Sequence, residues 1–392
     1  MSGKKAIAII GNGIAAVECV KALRQSGDDR EIHVFGAGSL PPYNPMLTSY
    51  YAAGKIEYAT MFPYGDSQGI FTDHGVILHL GAPVTKLSVK ERTVTNAQGF
   101  TLSFDQCLIA SGASPFIPPF PGSDGKNIYP MRTAEDAIRL KAALEKKPKK
   151  ALVVGASMVG IKLVELFHHL GVAVCLADMA PRIFPLAAHP DCAAIIEERL
   201  RSMGVALRFS AGIEGVEARP EGGIQARFSD GGPPEEADLL MACIGVRANT
   251  GFIDRTEIEA RQGILVDRYQ RTSAPGVFAA GDCCMGLNLL TGESQVIGLL
   301  ANARKQGRIA GLNMAGQEAA YTGEIPHNIT HFMGMDFIGI GEVKDYTREE
   351  KRCDSTHYAQ FFYRGDTLCG ANMLDNLEDC GVIKNELVKQ LL

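Results

Sequence analysis

Short apolar runs alternate with helix-like stretches along most of this chain, and the runs mark its organisation. Ala6 to Ile10 reads as a strand. A glycine turn, Gly11-Asn12-Gly13-Ile14-Ala15-Ala16, follows it and opens a helix over 15–23; a second strand is expected over 31–35. A hairpin-rich stretch occupies 76–104. A strand over 106–110 then runs into Ser111-Gly112-Ala113-Ser114-Pro115, and a proline-rich crossing spans 116–121. The strand–turn–helix pattern repeats from Ala151. Its turn is Gly155-Ala156-Ser157-Met158-Val159-Gly160, and its second strand, 172–177, ends at Asp178. The polar stretch 219–237 reads as hairpin and loop. The strand 238–245 is expected to return the chain to the first domain. An apolar run, Val277-Phe278-Ala279-Ala280, ends at Gly281-Asp282; a helix follows over 301–314. From about 322 the texture changes to short strands, closing with a helix over 376–391.

Each glycine turn has a physical logic. The first Gly lets the chain reverse after the strand, the second admits a pyrophosphate close to the backbone, and the third position packs helix on strand. Free N–H groups at the positive end of the helix dipole then face the phosphates. Ala16 stands at the third glycine position of the first turn, which the pattern allows; Ser157 stands at the middle position of the second, which fits it less well. Two such turns plus a late Gly-Asp predict a protein holding two dinucleotides at once. The expected fold is α/β: two Rossmann-like dinucleotide-binding domains of three-layer ββα type, the second inserted in the first, plus a small α+β C-terminal domain. The boundaries are 1–115 with 242–322, then 116–241, then 323–392.

Composition adds exclusions. At 392 residues, 46% hydrophobic and 21% charged, the chain is an ordinary globular one. A net charge of −5 gives no reason to expect nucleic acid or an anionic membrane as partner. The first strand begins just after Lys5, leaving no room for a leader, and no apolar run approaches the ~18–20 residues of a membrane span. The ten cysteines lack C-x-x-C spacing, and Cys19, Cys107, Cys175 and Cys243 fall inside expected strands or helices. That usage points to a reducing, cytoplasmic location.

The segments 109–115, 174–185, 244–250 and 272–282 resemble the two-dinucleotide-binding-domain flavoproteins of the pyridine nucleotide–disulfide oxidoreductase superfamily. The branch most similar is that of NADH:rubredoxin, flavorubredoxin and ferredoxin reductases. The resemblance covers essentially the whole chain. It implies FAD in the first domain and NADH in the inserted one. It carries cofactor contacts onto Gly11, Gly13, Ala15, Ala16, Pro42, Asn44, Val84, Ala110, Ser111, Gly112, Arg132, Gly281 and Asp282, and onto Gly155, Ser157, Met158, Val159, Asp178 and Gly245 on the coenzyme side. Asp282 is implied at the FAD ribityl and phosphate region.

Several residues carry the chemistry or depart from the family. Asp178 lies where a carboxylate accepts from an adenosine ribose and repels a 2′-phosphate. On the FAD side the corresponding acid is absent: Gly36-Ala37-Gly38 follow the strand, and Pro45 stands where relatives carry Arg. The vicinal pair Cys283-Cys284 lacks redox spacing and is expected to be packed and inert, and no Cys lies between 43 and 50, where the thiol branches hold theirs. His327 and His331 have the spacing of a helical metal pair, but their segment reads as extended, which parts them by about 13 Å; no metal site is expected. Where relatives pair a Glu and a Lys beside the flavin, this chain has Lys162 and Tyr50. These two are the candidate catalytic residues, with Lys162 expected at the mouth between the domains and Tyr50 across from it.

The resulting expectation is a cytoplasmic FAD-dependent NADH oxidoreductase, monomer or homodimer, that passes electrons to a small rubredoxin- or ferredoxin-like protein. Two alternatives stay open: an NADH oxidase or small-molecule reductase, and a flavin-binding subunit of a larger dehydrogenase complex.

Overall fold

The computed structural model describes residues 6–353 and 357–391, which form two compact units. The first comprises the residues to Asn44, Glu57–Ser114 and Val246–Glu324; the second comprises Pro45–Ile56, Pro115–Gly245 and the residues from Ile325.

The first unit is built on a five-stranded parallel sheet in the order Val277–Ala279, Gln106–Ile109, Ala6–Ile10, Glu31–Gly36, Val76–Leu80. Side chains alternate between its faces. Ile7, Ile9, Ile32 and Val34 pack with the helix Ile14–Gln25 and with Ala303, Ala310 and Met314 of the helix Leu300–Met314. Ala8, Ile10, Phe35, Cys107 and Ile109 face Leu87 and Val94, which belong to a three-stranded antiparallel sheet, Val84–Ser88, Thr93–Asn96 and Thr101–Ser103. The two helices meet backbone to backbone. A Cβ on Gly307 would lie 2.2 Å from the Ala15 carbonyl oxygen, so only glycine permits this approach.

The second unit repeats the plan. Its parallel sheet runs Ala206–Arg208, Ala173–Ala177, Lys150–Val154, Leu239–Ala242, Ile128–Pro130. The helices Met158–His169 and Pro190–Ser202 pack on one face, and the antiparallel strands Ile213–Ala218, Ile224–Phe228 and Glu235–Ala237 on the other. The C-terminal part is a five-stranded antiparallel sheet, His327–Phe332, Met335–Gly341, Thr367–Leu374, Tyr358–Arg364, Arg348–Cys353, with the helix Cys380–Leu391. Phe332 and Phe337 join the same core as Phe184, with ring centroids 5.8 and 4.9 Å from it.

Four expectations change. Leu239–Ala242 is a strand of the second unit's sheet, pairing in parallel with Lys150–Val154 and Ile128–Pro130, and the chain passes to the first unit only after Gly245, not after 241. Val76–Leu80 is no hairpin strand but the parallel edge of the first sheet, in register with Glu31–Gly36. Residues 45–56, expected with the first domain, group with the second unit, whose core takes in Ala52. The last helix begins at Cys380, not 376. The compact units change over after Ser114, Gly245 and Glu324, and the C-terminal sheet falls in one unit with Pro115–Gly245.

Candidate functional site

The two glycine turns are geometric copies. Gly11 has φ +110° and Gly155 φ +111°, and each crosses the end of the neighbouring parallel strand. A Cβ on Gly11 would lie 2.1 Å from the Ala110 carbonyl oxygen, and one on Gly155 2.3 Å from that of Cys243. In each case the turn's first N–H is drawn to the strand on its other side: Gly11 donates to the Phe35 carbonyl at 2.7 Å, and Gly155 to the Ala177 carbonyl at 2.8 Å.

The residues around the first turn fit a dinucleotide phosphate. The helix Ile14–Gln25 starts with neither a side-chain cap nor an acidic residue in its first turn, so its dipole is left for an external anion. A Cβ on Gly13 would meet nothing within 4 Å, so the backbone there is open to approach. Ala15 and Ala16 are buried against the sheet and pack the helix rather than line the open side. The late Gly-Asp turn comes alongside: a Cβ on Gly281 would sit 3.6 Å from that of Ala15, and the Gly281 N–H donates to Gln306 Oε1 at 2.9 Å. This sets the half-buried Asp282 beside the turn. Ser111 is fixed by a reciprocal pair of bonds, its hydroxyl donating to the Asn249 carbonyl at 2.6 Å and Asn249 Nδ2 donating to the Ser111 carbonyl at 2.9 Å. Gly112 follows with φ +65°. Pro42 is buried, Asn44 donates its N–H to the Met61 carbonyl at 2.8 Å, and Val84 begins the antiparallel sheet of the same unit.

The second turn is more occupied by its own side chains. Ser157 is the N-cap of the helix Met158–His169: its hydroxyl accepts from the Gly160 N–H at 3.2 Å and donates to the Cys243 carbonyl at 3.1 Å. A residue that breaks the glycine pattern therefore supplies a cap. Asp178 ends its strand as expected. One carboxylate oxygen accepts from the Ala156 N–H at 2.6 Å and the other from the Ala180 N–H at 2.7 Å, so the group is locked against the turn. Met158 is half-buried and Val159 exposed, at the same helix start. Gly245 has φ +115° and open space at its Cβ position; its carbonyl accepts from the Phe116 N–H. Arg132 lies in this second unit, just before the helix Ala134–Leu144, where its N–H donates to Asp136.

Lys162 and Tyr50 come together, both in the second unit. The ammonium stands 4.6 Å from the centroid of the Tyr50 ring. It also donates to Glu165 Oε2 at 2.7 Å and to the His331 carbonyl. Glu165 in turn holds Lys55 at 3.4 Å. Glu165, one helical turn on from Lys162, thus supplies a carboxylate to this group, a residue not singled out from the sequence. Burial works to raise the Glu165 carboxyl, but the hydrogen bonds and charges of Lys162 and Lys55 outweigh that and hold it below the ordinary carboxylate value. The spacing i,i+3 from Lys162 was the available signal for Glu165.

The cysteines behave as packing groups. Cys283 donates to the carbonyls of Ile109 and Ala280, and Cys284 to that of Gly281, each at 3.3 Å. Burial pushes both thiols up, Cys284 well above the usual range. All cysteines among the described residues are free, and of these Cys353 is exposed. His327 and His331 lie on one strand, as expected, and no cluster of three or more metal-ligating side chains occurs among the described residues. No helix among them is long and apolar enough to cross a membrane.

Comparison with known proteins agrees with this arrangement. A family model described as pyridine nucleotide-disulphide oxidoreductase matches residues 5–307. The epsilon subunit of NADH-dependent phenylglyoxylate dehydrogenase from Aromatoleum evansii is 30% identical over 335 residues, covering 85% of this chain and 78% of that protein. A rubredoxin-NAD(+) reductase from Ectopseudomonas oleovorans is 25% identical over 344 residues, 88% of each chain. Longer proteins match in part: the chain spans 50% of the assimilatory nitrate reductase electron transfer subunit of Bacillus subtilis. Among solved structures, the NADH-bound water-forming NADH oxidase from Lactobacillus brevis has a TM-score of 0.91 at 22% identity, over 97% of this chain and 91% of that one, a likeness of fold.

Proposed function

The chain belongs to the pyridine nucleotide-disulphide oxidoreductase family, and we propose that it is an FAD-dependent NADH oxidoreductase delivering electrons to a small redox protein of rubredoxin or ferredoxin type. Bound FAD supplies the redox chemistry, accepting a hydride from NADH and releasing electrons to the acceptor. The chain's own residues do the holding. The uncapped start of the helix Ile14–Gln25 and the open backbone at Gly13 receive the FAD pyrophosphate. Gly281 and its bond to Gln306 set Asp282 in place to accept from the ribityl hydroxyls. In the second unit, Asp178 presents a fixed carboxylate to the NADH ribose.

The observation that carries the acceptor reading is the absence of a thiol relay. No Cys lies at 43–50. Cys283 and Cys284 are buried thiols that donate to separate main-chain carbonyls. Electrons would then pass from a bound FAD without a cysteine intermediate, which suits an acceptor of single electrons. The test is anaerobic reduction by NADH followed by addition of rubredoxin or a [2Fe–2S] ferredoxin. Reduction of the acceptor much faster than oxygen uptake by the same enzyme is expected; oxygen uptake at the faster rate would favour an oxidase instead. A second reading, a flavin subunit of a larger dehydrogenase, is favoured by the 30% identity to the phenylglyoxylate dehydrogenase subunit. Co-purification of the chain from its native cell with an iron–sulfur dehydrogenase subunit would decide for it.

A further inference from the structure

The first unit has no acid at the end of Glu31–Gly36, where a dinucleotide ribose is held in relatives, and Ala37 and Gly38 are exposed. A different side chain lies over that strand end. Asn12, the residue between the two glycines of the turn, donates from Nδ2 to the Leu40 carbonyl at 2.9 Å. A carbonyl can only accept, so this bond fixes which end of the amide is nitrogen and leaves Oδ1 as an acceptor. Oδ1 has no hydrogen-bond partner among the described residues. A Cβ on Gly36 would lie 2.7 Å from Leu80 Cδ2 and 3.1 Å from Oδ1, so glycine at 36 relieves crowding at this strand end and leaves the amide room.

We infer that Asn12 is the ribose-binding residue of the first turn: its Oδ1 accepts a hydroxyl of the FAD adenosine, the role an acid at 37 or 38 has elsewhere. The inference rests on the reading that FAD binds at this turn. Asn12 and Gly36 act as a matched pair, one supplying the acceptor and the other the space. The acceptor is neutral. It holds the hydroxyl less strongly than a carboxylate would, and the site carries one negative charge fewer beside the pyrophosphate.

The test is the FAD dissociation constant of the full chain, measured by flavin fluorescence for the wild type, Asn12→Ala, Gly38→Glu and the double variant. Asn12→Ala is expected to raise the constant roughly 3- to 10-fold, as loss of one hydrogen bond does. Gly38→Glu, which restores the acid, is expected to bring the double variant back to within about twofold of the wild type. If Asn12 merely tied the turn to Leu40, Gly38→Glu would tighten binding by the same factor in the wild type and in Asn12→Ala; if both groups serve one hydroxyl, the gain is larger in Asn12→Ala. An unchanged constant in Asn12→Ala, or equal gains from Gly38→Glu in both backgrounds, overturns the inference. A wild type without affinity for FAD would instead overturn the reading beneath it.

Discussion

Asp178 is the side chain proposed to set coenzyme choice. Both its oxygens are held by main-chain N–H groups of residues 156 and 180, so the carboxylate cannot swing away from an incoming nucleotide. A 2′-phosphate placed about 4 Å from it meets a repulsion of ~4 kcal/mol at an effective dielectric of about 20. Flavin reduction by NADPH should therefore be at least about tenfold less efficient than by NADH. Asp178→Ala should narrow the gap while costing on the order of 1–2 kcal/mol of stability, because two N–H groups lose their acceptor. Stopped-flow reduction with both nucleotides, alongside thermal unfolding, separates the two effects; equal efficiency in the wild type would exclude the role. Asp178 is legible in the sequence because the turn and the strand end fix its distance from Gly155. Asn12 is not, and Glu165 is marked only by its i,i+3 spacing from Lys162. Nothing local marks Asn12 as more than a spacer until Leu40 and Gly36 are seen beside it, and Glu165 matters only once Lys55 arrives from another segment.

At the scale of elements, the helix Met158–His169 has two separable supports. Its start rests on Ser157. Ser157→Ala should cost about 1 kcal/mol and Ser157→Gly only a few tenths, read by chemical denaturation; equal losses would mean the cap bond contributes little. Its middle rests on the Lys162–Glu165–Lys55 group. Because the folded value of the Glu165 carboxyl is lowered, the ionised group stabilises the fold above its ordinary value of 4.5, and that contribution is lost as pH falls through the folded value. As pH falls below about 4.5 the wild type should thus lose more stability than Glu165→Gln. Parallel pH slopes would show that the ion group is not coupled to folding. The strand–helix units are the most legible elements, since each has a long apolar run and a glycine turn. The sheet that Leu239–Ala242 joins is not legible, because an apolar strand carries no mark of which sheet will pair with it; the pairing is decided by distant partners, Lys150–Val154 and Ile128–Pro130.

For the whole molecule, two readouts follow. The purified protein should be yellow with about one FAD per chain, since one uncapped turn of the FAD type is present; a colourless protein that FAD cannot reconstitute would refute the assignment. Native alkylation should label Cys353 fast and the buried cysteines only on unfolding, with little loss of NADH-to-dye electron transfer. A charge-transfer band abolished by Cys283→Ser or Cys284→Ser would contradict this. The duplicated plan is plain in the sequence, whereas the membership of 45–56 is not, because the short helix Thr48–Ala52 carries no domain signal of its own.

That short segment has a consequence for how such proteins can be recombined. Lys55 reaches Glu165, Lys141 stands 4.3 Å over the Tyr51 ring, and Ala52 lies in the second unit's core, although in sequence all of 45–56 is enclosed by the first. A chimera that exchanges only 115–245 for a relative's coenzyme domain would inherit a foreign surface beneath a native segment, leaving a cation without its anion and a buried alanine without its neighbours. Swaps that carry both 45–56 and the residues from 325 along should express as folded protein, and swaps that leave either behind should aggregate. The heritable module is thus three pieces of chain, not one.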